Sequence, residues 1–360
     1  MIRISNTQLF FLILSFEVGS TTLFALGIGA ERDAWIVVVS ATLIGLGLAW
    51  VYTEIPTYYP NQNFSEILNA VIGKKLAIPL LLLFGLYFYS QASHNFYEFG
   101  VLIRLTALPL TPLMLILFLF ILVMIYILSL GFEVFARTCE ILVPYLLLFL
   151  ITVFILALFS GQFDFDALYP TLANGVQPIL EELPRVIAFP FGEMVVFLMF
   201  WHYVKDQDKI RKTTFLAVGL SACLLMISLI VMLSVLGPKL TANAEIPLLE
   251  TILAINIAEI ITNLDSIAVF IMFIGGFYKT TLHFWGFCLA VTWLCNGKKG
   301  KWILVISGLP LPLFSNYRFQ GFDVQRWIGT EMGIKTILLF SFLPVLILLI
   351  IFMKNKAIRR

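Results

Sequence analysis

Apolar runs long enough to cross a bilayer recur from one end of the chain to the other. A spanning helix needs about 20 mainly apolar residues. Such runs fall near 8–29, 34–55, 77–104, 111–129, 137–160, 177–205, 213–237, 263–294, 301–317 and 335–353. Composition agrees: 61% of the 360 residues are hydrophobic and 12% are charged, against roughly 25% charge in ordinary soluble domains. No soluble fold hides that much apolar surface. The expectation is an all-α integral membrane protein with ten transmembrane helices, a single domain over 1–360 whose solvent is the lipid bilayer. A soluble enzyme and a nucleic-acid-binding domain are excluded.

The first span is not read as a cleaved signal peptide. It holds Glu17 and a Gly-Ser-Thr-Thr cluster, and nine further spans follow. Ser5-Asn6-Thr7-Gln8 fits a capping box, so a helix is expected to start there. Most Lys and Arg of the short loops, among them Arg3, Lys74, Lys75, Lys209 and Arg211, fall on one side. Fewer, such as Arg185, Arg318 and Arg326, fall on the other. The positive-inside rule then puts both termini in the cytoplasm. Two shorter segments are expected to lie beside the membrane: 64–72, and 246–260 with Glu250 and Glu259 among its apolar residues.

Two spans have poor helices at their centres. Gly19-Ser20-Thr21-Thr22 weakens the first. Phe189-Pro190-Phe191-Gly192-Glu193 breaks the sixth, because proline removes a donor and clashes with the preceding turn. The breaks lie about half the chain apart, and five spans per half makes the halves insert with opposite orientation. The first repeat is expected at about 1–160 and the second at about 177–353. Paired interruptions in matching positions point to a midplane site in inverted-repeat transporters, where half-helix N-termini attract anions.

Ionisable groups at membrane depth are costly, roughly 2.5–3.5 kcal/mol on insertion scales, and need a reason. Glu17, Glu98, Glu193 and Lys279 are such groups. In the third span Tyr87, Gln91, Asn95 and Glu98 recur on one helical face, which must turn toward protein or water. That face lines a ligand cavity, a water path or a subunit contact. Cys139, Cys223, Cys288 and Cys295 show no C-x-x-C spacing, and His94, His202 and His283 lie on different spans. Neither a disulfide framework, a metal site nor a catalytic triad is indicated. No cofactor is expected, and without a phosphate-binding glycine loop the chain is no self-contained ATP-driven pump.

Ile4-Ser5-Asn6-Thr7-Gln8-Leu9-Phe10, Gly19-Ser20, and Phe189-Pro190-Phe191-Gly192-Glu193, in that order and spacing, resemble the spore germination permease family. This is the B subunit of bacterial endospore nutrient-germinant receptors, a branch of the amino acid/polyamine/organocation superfamily. The resemblance implies a LeuT-like 5+5 inverted repeat with discontinuous helices 1 and 6. It also implies a sensor in the spore inner membrane that binds a small nutrient, often an amino acid, and works with an A subunit and a lipoprotein C subunit.

On that footing, backbone N–H groups of Gly19, Ser20, Thr21 and Thr22 are expected to meet the carboxylate of a zwitterion. Carbonyls near Phe189, Pro190, Phe191 and Gly192 are expected to meet its ammonium, with Gln91, Asn95 and Glu193 beside it. Lys279 is expected to pair with Glu17 where coupled transporters of the resembling fold hold sodium. The competing functions are a proton- or sodium-coupled amino-acid transporter and a membrane scaffold. Proton-coupled relatives often place a lysine within span 5, whereas here Arg137 stands only at its start.

Overall fold

The computed structural model describes residues 3–255, 265–297 and 300–358, and among them the regular structure is helical. The chain opens with α1 (Asn6–Val18), α2 (Ala34–Tyr58), the short α3 (Phe64–Ile72), α4 (Lys74–Thr106), α5 (Leu113–Leu130) and α6 (Phe132–Phe159). It continues with α7 (Gln177–Ala188), α8 (Ile210–Asn243), α9 (Pro247–Ala254), α10 (Asp265–Leu294), α11 (Gly300–Gly308), α12 (Leu311–Arg318), α13 (Phe322–Trp327) and α14 (Ile334–Ile358). Among the described residues seven helices are long and apolar enough to cross a membrane. The molecule is a multi-pass membrane protein.

Three of the ten expected spans are not continuous helices. The run at 8–29 stops at Val18 and resumes as a 3-10 turn at Thr21–Leu23. The run at 177–205 stops at Ala188 and continues as 3-10 helix over Phe191–Met199 and Trp201–Tyr203. So long a tight stretch is uncommon and often marks strain or a functional hinge. The run at 301–317, expected whole, is cut at Leu309-Pro310 between α11 and α12. A π-helical turn at Ile328–Gly333 separates α13 from α14, and α8 bends where Gly237 takes φ 76° ahead of Pro238. A side chain at Gly237 would be strained in that conformation.

Local signals position several elements. Ser5 caps α1 by accepting from the Gln8 N–H, while the Gln8 side chain accepts from the Ser5 N–H. Asn63 and Glu66 repeat the device at α3, which matches the amphipathic segment expected at 64–72. The expected 246–260 segment is helical over Pro247–Ala254; its residues 256–260, Glu259 included, lie outside the described residues.

α10 is the central helix. It runs antiparallel to α4 with small residues at the crossing points: Gly85 meets Ala290, Gly286 meets Phe88, and Gly276 meets Phe99. Such residues let membrane helices approach closely without a hydrophobic driving force. On its other side α10 meets α1, where Gly19 lies against Gly275 and Phe16 lies against Lys279 and His283. The start of the chain is also joined to the end of the 177–205 run. The Ile4 N–H donates to the Tyr203 carbonyl at 2.8 Å, and the Lys205 N–H donates to the Ile4 carbonyl at 3.0 Å.

Candidate functional site

The two interruptions converge on Lys279 of α10, whose side chain is fully buried. Its Nζ lies 2.6 Å from Oε2 of Glu193, which is 4% exposed. The same ammonium sits 4.0 Å from the centre of the Phe189 ring and 5.1 Å from that of Phe16. Aromatic faces attract a cation, more strongly when it is desolvated. One carboxylate from the second interruption and rings from both therefore hold the charge in place. The expected Lys279–Glu17 pair is corrected here: Glu193 takes Lys279. Glu17 is fully buried, and neither of its oxygens has a hydrogen-bond partner among the described residues.

Beside this centre lies a cavity of about 560 Å³, within the usual size range of small-molecule sites. Its wall includes Tyr87, Gln91, Asn95 and Glu98, so the polar face of α4 does turn inward. Phe189 and Glu193 of the second interruption also line it. Glu193 and Asn95 are almost completely buried, whereas Ala242 and Glu245, also in the lining, are exposed. The cavity thus runs from an open end beside the α8–α9 turn down to the Lys279 pair.

Side chains around the cavity are held by neighbours. The Asn95 amide lies 3.5 Å from His283 Nδ1, which is 3.1 Å from the Lys279 carbonyl. His94 Nε2 is 2.7 Å from Gln325 Nε2. A Cβ on Gly329, in the π-helical turn, would stand 2.7 Å from the His94 ring. Arg318 donates to the Ser90 carbonyl at 2.9 Å. Arg326 donates to the Glu245 carbonyl and lies over the rings of Phe24 and Phe322. The lining therefore carries both signs, Glu98, Glu193 and Glu245 together with Arg185, Arg318 and Arg326.

Of the expected ligand residues, Gln91, Asn95, Phe189 and Glu193 line this cavity, as does Glu98. Gly19, Ser20, Thr21, Thr22, Pro190, Phe191 and Gly192 are buried outside its lining. The Gly19 N–H donates to the Ser15 carbonyl, which corrects the expectation that it is free for a ligand. Gly192 is pressed against Ser341, and Phe191 against Gly45. Sequence reasoning missed Gln325, Arg318, Arg326 and Gly329. In the sequence the two arginines read as loop charges, and the π-helical turn has no proline to announce it. Among the described residues no group of three His, Cys, Asp or Glu side chains is placed to hold a metal ion.

Interrupted helices around a cavity with charged side chains in its wall, in a membrane bundle, define a protein of the transporter fold. The fold matches a Na+-coupled sialic acid symporter in a substrate-bound outward-open state, with a TM-score of 0.64 and 11% identity, over 95% of this chain and 79% of that one. It also matches a manganese transporter from Eremococcus coleocola, with a TM-score of 0.65 and 14% identity, over 95% and 78%. The family model for spore germination protein covers residues 3–320, and the chain belongs to that family. It is 32% identical to spore germination protein KB of Bacillus subtilis (strain 168) over 331 residues, 89% of each chain. It is 20% identical to spore germination protein YndE of the same organism over 320 residues, 88% of this chain and 86% of the other. Neither the family nor the structural neighbours are enzymes.

Proposed function

We propose that this chain is the nutrient-sensing membrane subunit of a spore germination receptor and binds a small zwitterion, an amino acid, in the cavity between α4 and the Phe189–Glu193 segment. One observation carries the reading. The polar face of α4 and a helix interruption enclose a cavity whose lining has carboxylates and guanidinium groups together. A zwitterion matches both signs, whereas a purely apolar or singly charged ligand leaves one sign unanswered at a desolvation cost.

The architecture that goes with this reading has ten membrane crossings in a 5+5 inverted repeat, counting the three interrupted runs as one crossing each. The repeats divide at about 160 to 177. Both termini face the cytoplasm, and the open end of the cavity faces away from it. The membrane is the spore inner membrane, and output depends on A and C subunits, since the connecting segments are too short to form a signalling domain.

Ligand-induced thermal stabilisation of the purified chain tests the site. Amino acids are expected to raise the melting temperature of the wild type, and Asn95→Leu is expected to abolish the rise. No stabilisation by any amino acid overturns the reading. Germination of spores lacking this gene tests the role: a selective loss of response to one nutrient class is expected.

A second reading, a coupled amino-acid transporter, is favoured by the likeness to a Na+-coupled symporter. Substrate-dependent uptake into proteoliposomes separates it from the receptor.

A further inference from the structure

Glu17, Glu193 and Lys279 form a buried cluster whose formal charges do not balance. Lys279 and Glu17 are fully buried and Glu193 nearly so. Phe16, the residue before Glu17, has its ring 5.1 Å from the Lys279 ammonium, Gly19 just after Glu17 lies against Gly275 one helical turn before Lys279, and Lys279 is in contact with Glu193. Glu98 on α4, the next carboxylate along, has Arg326 as its foremost charged neighbour and Gln325 as a hydrogen-bond partner; within the cluster itself two carboxylates and one ammonium leave one negative charge over, inside a membrane bundle where an unpaired charge is strongly disfavoured.

The other titratable groups packed around α1 do not answer it. The Tyr52 hydroxyl on α2 donates to the Ser341 carbonyl at 2.8 Å. Cys139 on α6 is engaged with Ser15 at 3.4 Å. His283 on α10 turns its Nδ1 to the Lys279 carbonyl and the Asn95 amide. Both Glu17 oxygens are left without a partner among these groups.

We propose that Glu17 holds a proton, so that Glu17, Glu193 and Lys279 form a neutral triad in which Glu17 is a reserve carboxylate for the Lys279 ammonium. The position of Lys279 selects which carboxyl carries the proton. Its ammonium is committed to Glu193 and boxed by the Phe189 and Phe16 rings, so Glu193 keeps its charge and Glu17 gives its own up. A bound sodium ion would restore the same balance, but it would place a second full positive charge beside Lys279. A proton neutralises the carboxylate without adding that centre. If Glu193 is drawn away from Lys279, Glu17 can release its proton and take over the pair, so a disturbance at the cavity floor is linked to one proton. The inference concerns the ligand-free chain and does not rest on the amino-acid reading of the cavity.

Infrared spectroscopy of the full chain in lipid bilayers, in sodium-free buffer near neutral pH, tests it. The wild type is expected to show the carbonyl stretch of a protonated carboxylic acid, and Glu17→Gln is expected to lose that band. A wild type without the band, or a Glu17→Gln variant with an undiminished one, overturns the proposal. So does a melting temperature of the wild type that rises with sodium but not with potassium, and that loses this dependence in Glu17→Gln. Should Glu17→Gln fail to fold, Glu193→Gln carries the same test. There Glu17 must ionise to pair with Lys279, so the band disappears from a folded protein, and a band unchanged in Glu193→Gln overturns the proposal equally.

Discussion

Gly19, capping the C-terminal end of α1, and Gly275 on α10 cross backbone to backbone, with a Cβ built on Gly19 standing 2.5 Å from the Gly275 Cα. The crossing brings the first interruption against the central helix, and its tightness needs a residue without a side chain on both strands of the contact.

Gly19→Ala and Gly275→Ala are therefore expected to lower stability by about 1–3 kcal/mol each, the usual cost of overpacking. Gly219→Ala on α8 is the control, because its Cβ would meet open space and alanine favours the helix. Thermal unfolding in detergent reads the difference. Equal melting of Gly19→Ala and Gly219→Ala would contradict the crossing.

The Lys279 centre predicts an asymmetry. Lys279→Met removes the only cation in the triad and is expected to cost about 3–5 kcal/mol. Glu193→Gln should cost less, because on the triad proposal Glu17 replaces it as the partner of Lys279. The double variant Glu17→Gln/Glu193→Gln then strands the ammonium and should exceed the sum of its singles. Melting temperatures of the four proteins form the cycle, and strict additivity would count against the shared ammonium.

The inward face of α4 predicts a contrast along one helix. Gln91→Leu and Glu98→Gln should each weaken amino-acid binding tenfold or more, because they strip polar groups from the cavity wall. Leu82→Ala, on the exposed side of the same helix, should leave binding unchanged. Ligand titrations followed by thermal shift distinguish the two faces.

At the His94 contact a methyl group is enough to disturb the wall. Gly329→Ala would place its Cβ 2.7 Å from the imidazole and is expected to lower the melting temperature. Combining it with His94→Ala removes the obstructing ring, so the double variant should melt no lower than His94→Ala alone. A double variant that shows the full sum of both losses would mean that the strain lies elsewhere.

Much of this arrangement was legible in the residues. Ser5 and Gln8 announced the first helix because a capping box is a local hydrogen-bond pattern. The spacing of Tyr87, Gln91, Asn95 and Glu98 announced an inward face because polar groups at membrane depth avoid lipid. Pro190 announced the second interruption. What could not be read was azimuth. Glu17 and Glu193 are both carboxylates within expected spans, and hydropathy does not tell which of them Lys279 faces. That is decided by how α1, α10 and the Phe191–Met199 segment rotate against one another, which depends on Gly19, Gly275 and the Phe16 ring acting together. The break at Leu309-Pro310 is hidden because it sits within the 301–317 run, which hydropathy alone reads as continuous; the π-helical turn at Ile328–Gly333 falls between that run and the one at 335–353, where hydropathy marks no helix at all.

The clasp between residue 4 and residues 203 and 205 has a mechanical consequence. Its two backbone hydrogen bonds yoke the start of the first interrupted run to the far end of the second. The chain segments leading away from the Lys279 centre on that face are thus coupled as one lever. A tilt of the Phe191–Met199 segment drags Ile4 with it, so a disturbance at the cavity floor is delivered to the opposite surface as a displacement of two strands of chain together.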